Sequence, residues 1–542
     1  MAITVTPLLT DINTAENITG WNVITGGALG LNNDVFLQGA GSIQFQASQE
    51  IAYVYVGITA TDLRNTRIYG WILPPGSISN ASNGGLRIYL GDGTNNIGYY
   101  VGGNDTSLFT QGTWVCLTLD TSNLPSNFTA ENGSEASLDL QNITRVGLGV
   151  NNPEKAAGNT PNAWVDVIRY GTGLRVTGGT VGDEATFSQI LSASNNTDNY
   201  YGIIREIGTG IYGIQGDLIF GSGSTATDSV RFVESDITLI VEDKVFDSTG
   251  TNLPIKILGE HNTTGEFTAS FGTPVSSGDD LSGRGGLSII NTNPSQSIEF
   301  DFSDPNIEVF NLYGSTLLNV QGAVSFSGDV TNGPNHNIAG TTFNNCSQVD
   351  FGRTFTRNNI FSAHSQSITE GALLWNNNIN IKNTSFLANA VAVEHEQAGT
   401  FTYDNLTFSD NTYDILNTSN GAVTASTTNG SNPSIAKVFN AGTSTTDVAT
   451  SNTLTLTNIQ SGSEVAIVSQ SSFRELITGS EQIANPPGTF TYTRAYPGYD
   501  QNVDIIVHAL DWEYYILSTT LENSNQSFQI SQTSDRNYDN PE

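Results

Sequence analysis

A short phrase that returns four times between Thr341 and Thr424 restricts the fold more than anything else in the chain. It reads Thr-Phe-Asn-Asn-Cys at 342–346, Arg-Asn-Asn-Ile-Phe-Ser at 357–362, Lys-Asn-Thr-Ser-Phe-Leu-Ala-Asn at 382–389 and Asp-Asn-Leu-Thr-Phe-Ser-Asp-Asn at 404–411. Its aromatic anchors, Phe343, Phe361, Phe386 and Phe408, lie 18, 25 and 22 residues apart. Periods of this size mark stacked structural repeats. A few apolar residues set among Asn, Ser and Gly suit short strands and tight turns, not helices. One unit alone cannot bury its phenylalanine, so the units must stack to make a core. The phrase predicts rungs of a parallel β-helix with Phe inside and Asn at the turns.

Composition extends that reading to the whole chain. Charged residues make up 13%, about half the usual share. In their place stand Asn, Ser, Thr and 56 glycines, beside 25 Phe, 19 Tyr and 6 Trp. Such a mixture disfavours helices and suits strands, so the predicted class is all-β, with no helix beyond three turns. At 542 residues the chain should hold about three domains. The net charge of −33, with only 19 Lys and Arg, repels phosphate and argues against binding nucleic acid or an anionic membrane. No run of about 20 apolar residues is present for a membrane helix. The N-terminal stretch Met-Ala-Ile-Thr-Val-Thr-Pro lacks the pattern of a signal peptide, so synthesis in a host cytoplasm without export is expected. Cys116 and Cys346 fall in different expected domains and are read as two free buried thiols.

Residues 1–175 carry alternating segments at 42–46, 51–56, 66–72, 86–90 and 113–119. Pro74-Pro75-Gly76, Asn83-Gly84-Gly85 and Gly91-Asp92-Gly93 break them into strands. This rhythm predicts an antiparallel sandwich or jelly roll. Residues 176–424 are expected to form the β-helix, with 176–215 as a transition or cap. The run Ala-Ser-Thr-Thr-Asn-Gly-Ser-Asn-Pro-Ser at 425–434 predicts a linker over 425–449. Patterned segments over 450–542 predict a second, smaller β-sandwich.

Two resemblances follow from particular phrases. The first domain has Trp21 ahead of a Gly-Ser-Ile-Gln-Phe strand, Gly-Thr-Trp-Val-Cys-Leu-Thr-Leu-Asp at 112–120, and a closing Ala-Trp-Val-Asp-Val-Ile-Arg-Tyr-Gly at 163–171. It resembles the concanavalin-like and carbohydrate-binding jelly rolls. The phrases Ser-Gly-Ser-Glu-Val-Ala-Ile-Val and Val-Asp-Ile-Ile-Val-His, with the terminal Asp535-Arg-Asn-Tyr-Asp-Asn-Pro541, resemble C-terminal modules of bacteriophage virion proteins. The resemblances imply a virion fibre or spike: a homotrimer assembled with other virion proteins, which attaches to a host surface glycan. They name no cofactor beyond a structural calcium, for which Asp92, Glu154 and Asp166 could supply oxygens.

Candidate glycan-stacking rings are Trp71, Tyr99 and Tyr100. The last two are adjacent on a strand and must face opposite ways, so at most one can serve. Trp114 and Trp164 sit beside Val and Leu and are read as core. No nucleotide loop, serine elbow or zinc helix motif is present, and the five histidines, His261, His336, His364, His395 and His508, show no metal spacing. The alternative to binding is a depolymerase, a glycoside hydrolase or lyase cutting host polysaccharide. Its carboxylate candidates are Glu394 and Glu396, two residues apart and so on one face of a strand. Weaker pairs are Asp301 with Asp304 and Asp279 with Asp280. A solvated outer face of a rung is the plainer reading of all three.

Overall fold

The computed structural model describes the chain except residues 1–2, 49–50, 76–84, 102–111, 152–159, 224–228, 242–251, 263–265, 278–280, 293–295, 327–335, 353–354, 365–367, 377–380, 472–475, 478–481, 484–487, 496–499, 523–524 and 535–542. The terminal Asp535–Pro541 phrase, Glu154, and the Asp279–Asp280 pair lie outside the described residues. The fold is all-β, with one α-helix among the described residues, and it divides into two compact units. One comprises Met1–Ser276 and Ser282–Val349, the other Ser277–Leu281 and Asp350–Glu542. No helix among the described residues is long and apolar enough to cross a membrane.

The first unit opens with a sandwich of two antiparallel sheets. Six strands form one of them, in the order Phe128–Asn132, Asn96–Tyr100, Leu86–Gly91, Ile143–Asn151, Ile51–Thr61 and Trp21–Thr25. Strands Thr4–Asn13, Leu29–Asn32, Ser42–Gln46, Arg67–Leu73, Val115–Asp120 and Asn162–Thr177 form the other. Alternate residues such as Val54, Ile88, Leu148, Ile43, Ile72 and Val165 meet between them as the core. The expectation for two tryptophans is corrected. Trp114 precedes its strand and Trp164 lies within one, yet both are only half-buried. Neighbouring apolar residues alternate with them and take the inner face instead.

The 16-residue strand Asn162–Thr177 belongs to two architectures at once. It pairs antiparallel with Thr4–Asn13 and Arg67–Leu73 of the sandwich. Its last turn also pairs in parallel with Asp217–Phe220, the first rung of a β-helix. From there three parallel sheets stack rung on rung. In one, Asp217–Phe220 is followed by Ile255–Gly259, Ile298–Phe302 and Val324–Phe326. The others run from Ile211–Ile214 through Ile237–Val241 and Leu287–Asn291 to Thr316–Leu318 and Thr342–Asn344, and from Val230–Glu234 through Phe267–Phe271 and Val309–Tyr313 to His336–Ala339.

The end of this stack is covered by the helix Phe187–Ser194, within the stretch 176–215 expected as a transition or cap. The local code explains the helix. Thr186 and Gln189 form a reciprocal capping box at its start, the Thr-x-x-Gln pattern that nucleates a helix. The Glu234 carboxylate accepts from the Phe187 N–H at 2.9 Å, where a helix N-terminus favours negative charge. The Phe187 ring packs on Phe232, Tyr212 and Phe220, with centroids 5.0, 5.6 and 6.4 Å away. A solenoid end exposes its core unless something of this kind caps it.

The physical content of the repeat is visible at the corners. Gly314, Gly340, Asn358, Asn383 and Asn405 all have left-handed backbone, and so do Asn319, Asn345, Ala363, Ala388 and Asp410, each five residues later. Every unit is therefore a short strand held between two left-handed corners. Gly, Asn and Asp recur there because they tolerate that conformation best. Ala363 and Ala388 occupy it without such help, and their N–H groups bond to the carbonyls of Leu387 and Ser409 in the next rung. Between the corners the phenylalanines point inward. Phe361 stacks on Phe386 at 5.1 Å and 12°, and Phe386 on Phe408 at 4.9 Å and 13°. Just past the second corner the Asn389 amide donates to the Phe361 carbonyl, and that of Asn411 to the Phe386 carbonyl. These asparagines satisfy buried backbone, as expected of a group that cannot reach water.

In the second unit the expected linker over 425–449 is instead a rung. Ala422–Thr428 pairs in parallel with Gly399–Asp404 on one side and with Thr445–Ile459 on the other, and Val438–Asn440 pairs with Tyr413–Asn417. The small polar residues do not leave the segment loose. Val423, Ala425 and Thr427 alternate inward and are buried. Ser431 Oγ donates to the Tyr403 carbonyl at 2.8 Å, and Asn417 Nδ2 to the Thr445 carbonyl at 2.9 Å. The 15-residue strand Thr445–Ile459 then leaves the rungs to pair antiparallel with Gly488–Ala495. A four-stranded sheet of Gln482–Ile483, Glu464–Ser469, Gln501–His508 and Tyr515–Leu521 packs over it. Leu454, Leu456, Val465, Ile467, Val503, Ile505 and Leu521 form the core between them.

His395 is sealed inside this unit's solenoid. The Trp375 carbonyl can only accept, so Nδ1 at 3.1 Å carries the proton and Nε2 accepts from the Tyr403 hydroxyl at 2.7 Å. Burial pushes the imidazole pKa from 6.5 down to about 4, with the Trp375 carbonyl bond opposing. Between those two values the unfolded chain takes up a proton that the folded chain refuses. Stability should therefore fall by up to about 3 kcal/mol as pH drops through this window. Urea midpoints at neutral and mildly acid pH will check it: His395→Gln, which cannot protonate, should lose that share of the acid sensitivity.

Candidate functional site

Strand alternation places a distinctive set of side chains on the outer face of the six-stranded sheet, away from the sandwich core. On Ile51–Thr61, Ala52, Val54 and Val56 point inward, so Tyr53, Tyr55 and Gly57 point out. On Leu86–Gly91 the same logic turns out Arg87, Tyr89 and Gly91. Register aligns these residues into rows. Tyr53, Gly149, Arg87 and Tyr100 lie across from one another, as do Tyr55, Gly147, Tyr89, Gly98 and Thr129, and then Gly57, Arg145, Gly91 and Asn96.

Glycines make the floor. A methyl group at Gly98 or Gly149 would collide with the Tyr53 ring, and one at Gly147 with the backbone of Val54 and Tyr55. The rings therefore settle low on the sheet. Tyr53 and Tyr89 lie 5.6 Å apart at 45°, and Tyr55 and Tyr89 6.0 Å apart at 31°. Two guanidiniums lie over neighbouring rings, Arg87 over Tyr100 at 5.5 Å and Arg145 over Tyr55 at 5.3 Å. Such cation–ring contacts are favourable and hold the planar groups in place. Arg87 Nη1 donates to Thr129 Oγ1 at 2.7 Å, and Arg145 Nη1 to Asn96 Oδ1 at 3.2 Å.

The face is graded in depth. Tyr53, Tyr89 and Arg87 are buried, while Tyr55, Arg145, Thr129 and Glu131 are half-buried. Burial raises the Tyr53 pKa to about 12 against the opposing charge of Arg87, and raises those of Tyr89 and Tyr100 too. It also raises the Glu131 carboxyl, with Arg87 opposing. Arg87 Nε is buried without a hydrogen-bond partner among the described residues, and the buried Tyr53 hydroxyl lies against Thr129 and Arg87. Aromatic faces, fixed donors and an orphaned polar atom on one sheet face are what a polar ring-shaped ligand requires.

The three rings named from sequence separate. Tyr100 lies on this face, beneath Arg87. Tyr99 points into the core, 6.2 Å from Phe128, and burial raises its pKa with Glu135 adding to the effect. Trp71 is on the other sheet and half-buried, with Nε1 donating to the Tyr200 carbonyl at 2.9 Å and its ring edge-on to Tyr200. Sequence reading missed Tyr53, Tyr55, Arg87, Tyr89 and Arg145. A signal existed in Ile-Ala-Tyr-Val-Tyr-Val and Leu-Arg-Ile-Tyr-Leu, where the aromatic and cationic positions fall out of phase with the aliphatic ones.

The carboxylate candidates are also separated by environment. Glu394 is buried in the strand Val391–His395, where its Oε2 accepts from the Gly371 N–H at 3.1 Å and its Oε1 from the Thr418 hydroxyl at 2.9 Å. Glu396 lies past the end of that strand and is exposed, 3.5 Å from Asn376 Nδ2. Asp301 and Asp304 accept N–H groups of Ser303, Asn306 and His261 and so organise a turn.

Of the oxygens considered for calcium, those of Asp92 are fully engaged. Burial works against its ionisation, but bonds from Asn95, Asp139 and Thr94 hold the pKa down to about 2. Asp166 fits a cation better. It is fully buried, with Oδ2 accepting from Leu37 and Gln38 while Oδ1 has no partner. Burial raises its pKa to about 6, with nearby Glu16 adding to the rise, and Glu16 itself accepts from Ala40 on the same loop. Among the described residues no three His, Cys, Asp or Glu side chains converge. Cys116 and Cys346 are both buried thiols outside any disulfide.

No protein-family profile matches the chain, and no curated protein does. Among solved structures, a xylan-binding module is 14% identical, covering 30% of this chain and 95% of its own, with a TM-score of 0.18. A carbohydrate esterase of the Shiga toxin-encoding bacteriophage phi24B is 11% identical over 30% of this chain and 98% of its own, with a TM-score of 0.20. The Agl-KA catalytic domain is 10% identical over 82% of this chain and 98% of its own, with a TM-score of 0.22. Overlaps this slight leave both fold and function to be argued from the chain's own residues.

Proposed function

We propose that this chain binds a glycan through the tyrosine-and-arginine face of its N-terminal sandwich, as a host-attachment fibre or spike of a bacteriophage particle. The observation that carries the reading is the half-buried Tyr55 ring, backed by the buried Tyr89 ring 6.0 Å away and flanked by the Arg145 guanidinium, over a glycine floor. Sugar rings present apolar C–H faces and hydroxyl edges, which suit such rings with donors beside them. The acidic, charge-poor composition and the stacked rungs within each unit support a role outside cells. Assembly into a homotrimer would multiply modest sites into avidity. Asp166, with Glu16 beside it, is the residue to hold a structural calcium, which would relieve the repulsion between two adjacent carboxylates.

Both Glu394 oxygens accept from the protein's own groups, which favours binding over the depolymerase alternative. The test is retention of the full chain on immobilised host envelope polysaccharide. Tyr55→Ala is expected to weaken retention about tenfold or more, as removal of a central aromatic anchor does, with the melting temperature little changed because this ring is half-buried. Unchanged retention would overturn the assignment of the face. Detection of the chain in purified virions tests the particle assignment.

A further inference from the structure

We infer that the glycan taken by this face carries a carboxylate, which the guanidiniums of Arg87 and Arg145 receive. The inference rests on the glycan-binding reading above and narrows it to acidic saccharides.

The two arginines start from opposite ends of the face. Arg145 stands across from Gly91, so four strand positions separate its row from that of Arg87, about 13 Å at the rise of a strand. Both heads nevertheless reach the row between them. Arg87 bonds Thr129, which stands across from Gly98 and so in the Tyr89 row, and Arg145 lies over Tyr55, which shares that row through Gly147. Two guanidiniums thus lie over rings of this face in a chain with 19 basic residues against 52 acidic ones.

Among the described residues Arg87 keeps Nε unbonded, while its guanidinium also lies against the Tyr53 hydroxyl. The residue is 3% exposed, and Nη1 is held by Thr129. A buried guanidinium edge left unbonded is costly, and a carboxylate is the group whose geometry matches it. Burial raises the pKa of the half-buried Glu131 carboxyl, with the charge of Arg87 opposing. A neutral sugar would leave that edge half-satisfied. The chain's net charge of −33 repels an acidic polymer at long range, but salt screens that field beyond about 8 Å and leaves the contact pair intact.

The experiment compares binding of the full chain to polygalacturonate and polysialate with binding to the same polymers after carboxyl reduction, which keeps the backbone and removes the charge. Binding at least about tenfold tighter to an acidic form is expected, and Arg145→Gln, whose site is half-buried, should abolish most of that preference. Tyr55→Ala should weaken both forms together. Equal binding of native and reduced polymers would overturn the inference while leaving the glycan face in place. Binding of neither form of either polymer would overturn both.

Discussion

Arg67→Met should lower the stability of the first unit by about 3–5 kcal/mol, the usual cost of leaving one member of a buried ion pair without its partner. Arg67 sits on the sandwich strand Arg67–Leu73, yet its guanidinium reaches the first rungs. Nη1 lies 3.2 Å from the Asp217 carboxylate, and Nη2 donates to the Leu253 and Pro254 carbonyls at 2.7 and 2.8 Å. Both charged side chains are 5% exposed or less. Asp217 Oδ1 also accepts the Lys256 N–H at 3.1 Å, and the neighbouring Asp120 accepts the Leu253 N–H. The network therefore fastens sandwich to rung by charge, beside the shared strand Asn162–Thr177. Methionine keeps much of the volume but strands Asp217 in a site without water. Denaturant unfolding of the variant measures the loss. Adding Asp217→Asn should restore part of it, since the pair is coupled. A midpoint unchanged by Arg67→Met would show that the pair carries no stability.

Phe386→Ala is expected to cost a similar amount, about 3–5 kcal/mol, through lost burial and the cavity left between two rungs. Phe386 is fully buried and stacked on both sides, by Phe361 and Phe408. Removing it opens a void that neighbours fixed by their own backbone ladders cannot fill. Leu387, next along the same strand, points outward and is 44% exposed, so Leu387→Ala should change stability by less than about 1 kcal/mol. Urea midpoints of the two variants make the comparison within one strand. Equal effects would mean that the phenylalanine stack is not what holds the rungs.

Much of this architecture was legible because it rests on local rules. The spacing of Phe343, Phe361, Phe386 and Phe408 announces stacking, and the asparagines around them announce corners, since both depend on backbone preference and burial within a single rung. Where reading failed, a local signal was outweighed or overlooked. At 425–449 small polar residues suggested a loose segment, but pairing on both sides and alternating burial of Val423, Ala425 and Thr427 made it a rung. At 187–194 the capping pair Thr186 and Gln189 was present in the sequence and passed over. For Trp114 and Trp164, aliphatic neighbours suggested core, whereas the inner face was already taken by those neighbours.

The candidate site divides in the same way. Alternation within single strands determined that Tyr99 and Tyr100 must part, and it could have shown Tyr53, Tyr55, Arg87 and Tyr89 on a common side of theirs. Which of the two sides faces the core, and which strands lie next to one another, depends on pairing between residues as far apart as Ile51 and Asn151. Strand Ile143–Asn151 lies between Ile51–Thr61 and Leu86–Gly91 and brings Gly147 and Gly149 under the rings. No local preference encodes that neighbourhood. The chain by itself determined an all-β fold, stacked rungs and the residues at their corners, because those follow from propensity and period. Only the tertiary structure decided that Gly98, Gly147 and Gly149 would clear a floor for the tyrosines beside two arginines, because that face exists only once distant strands have found their register.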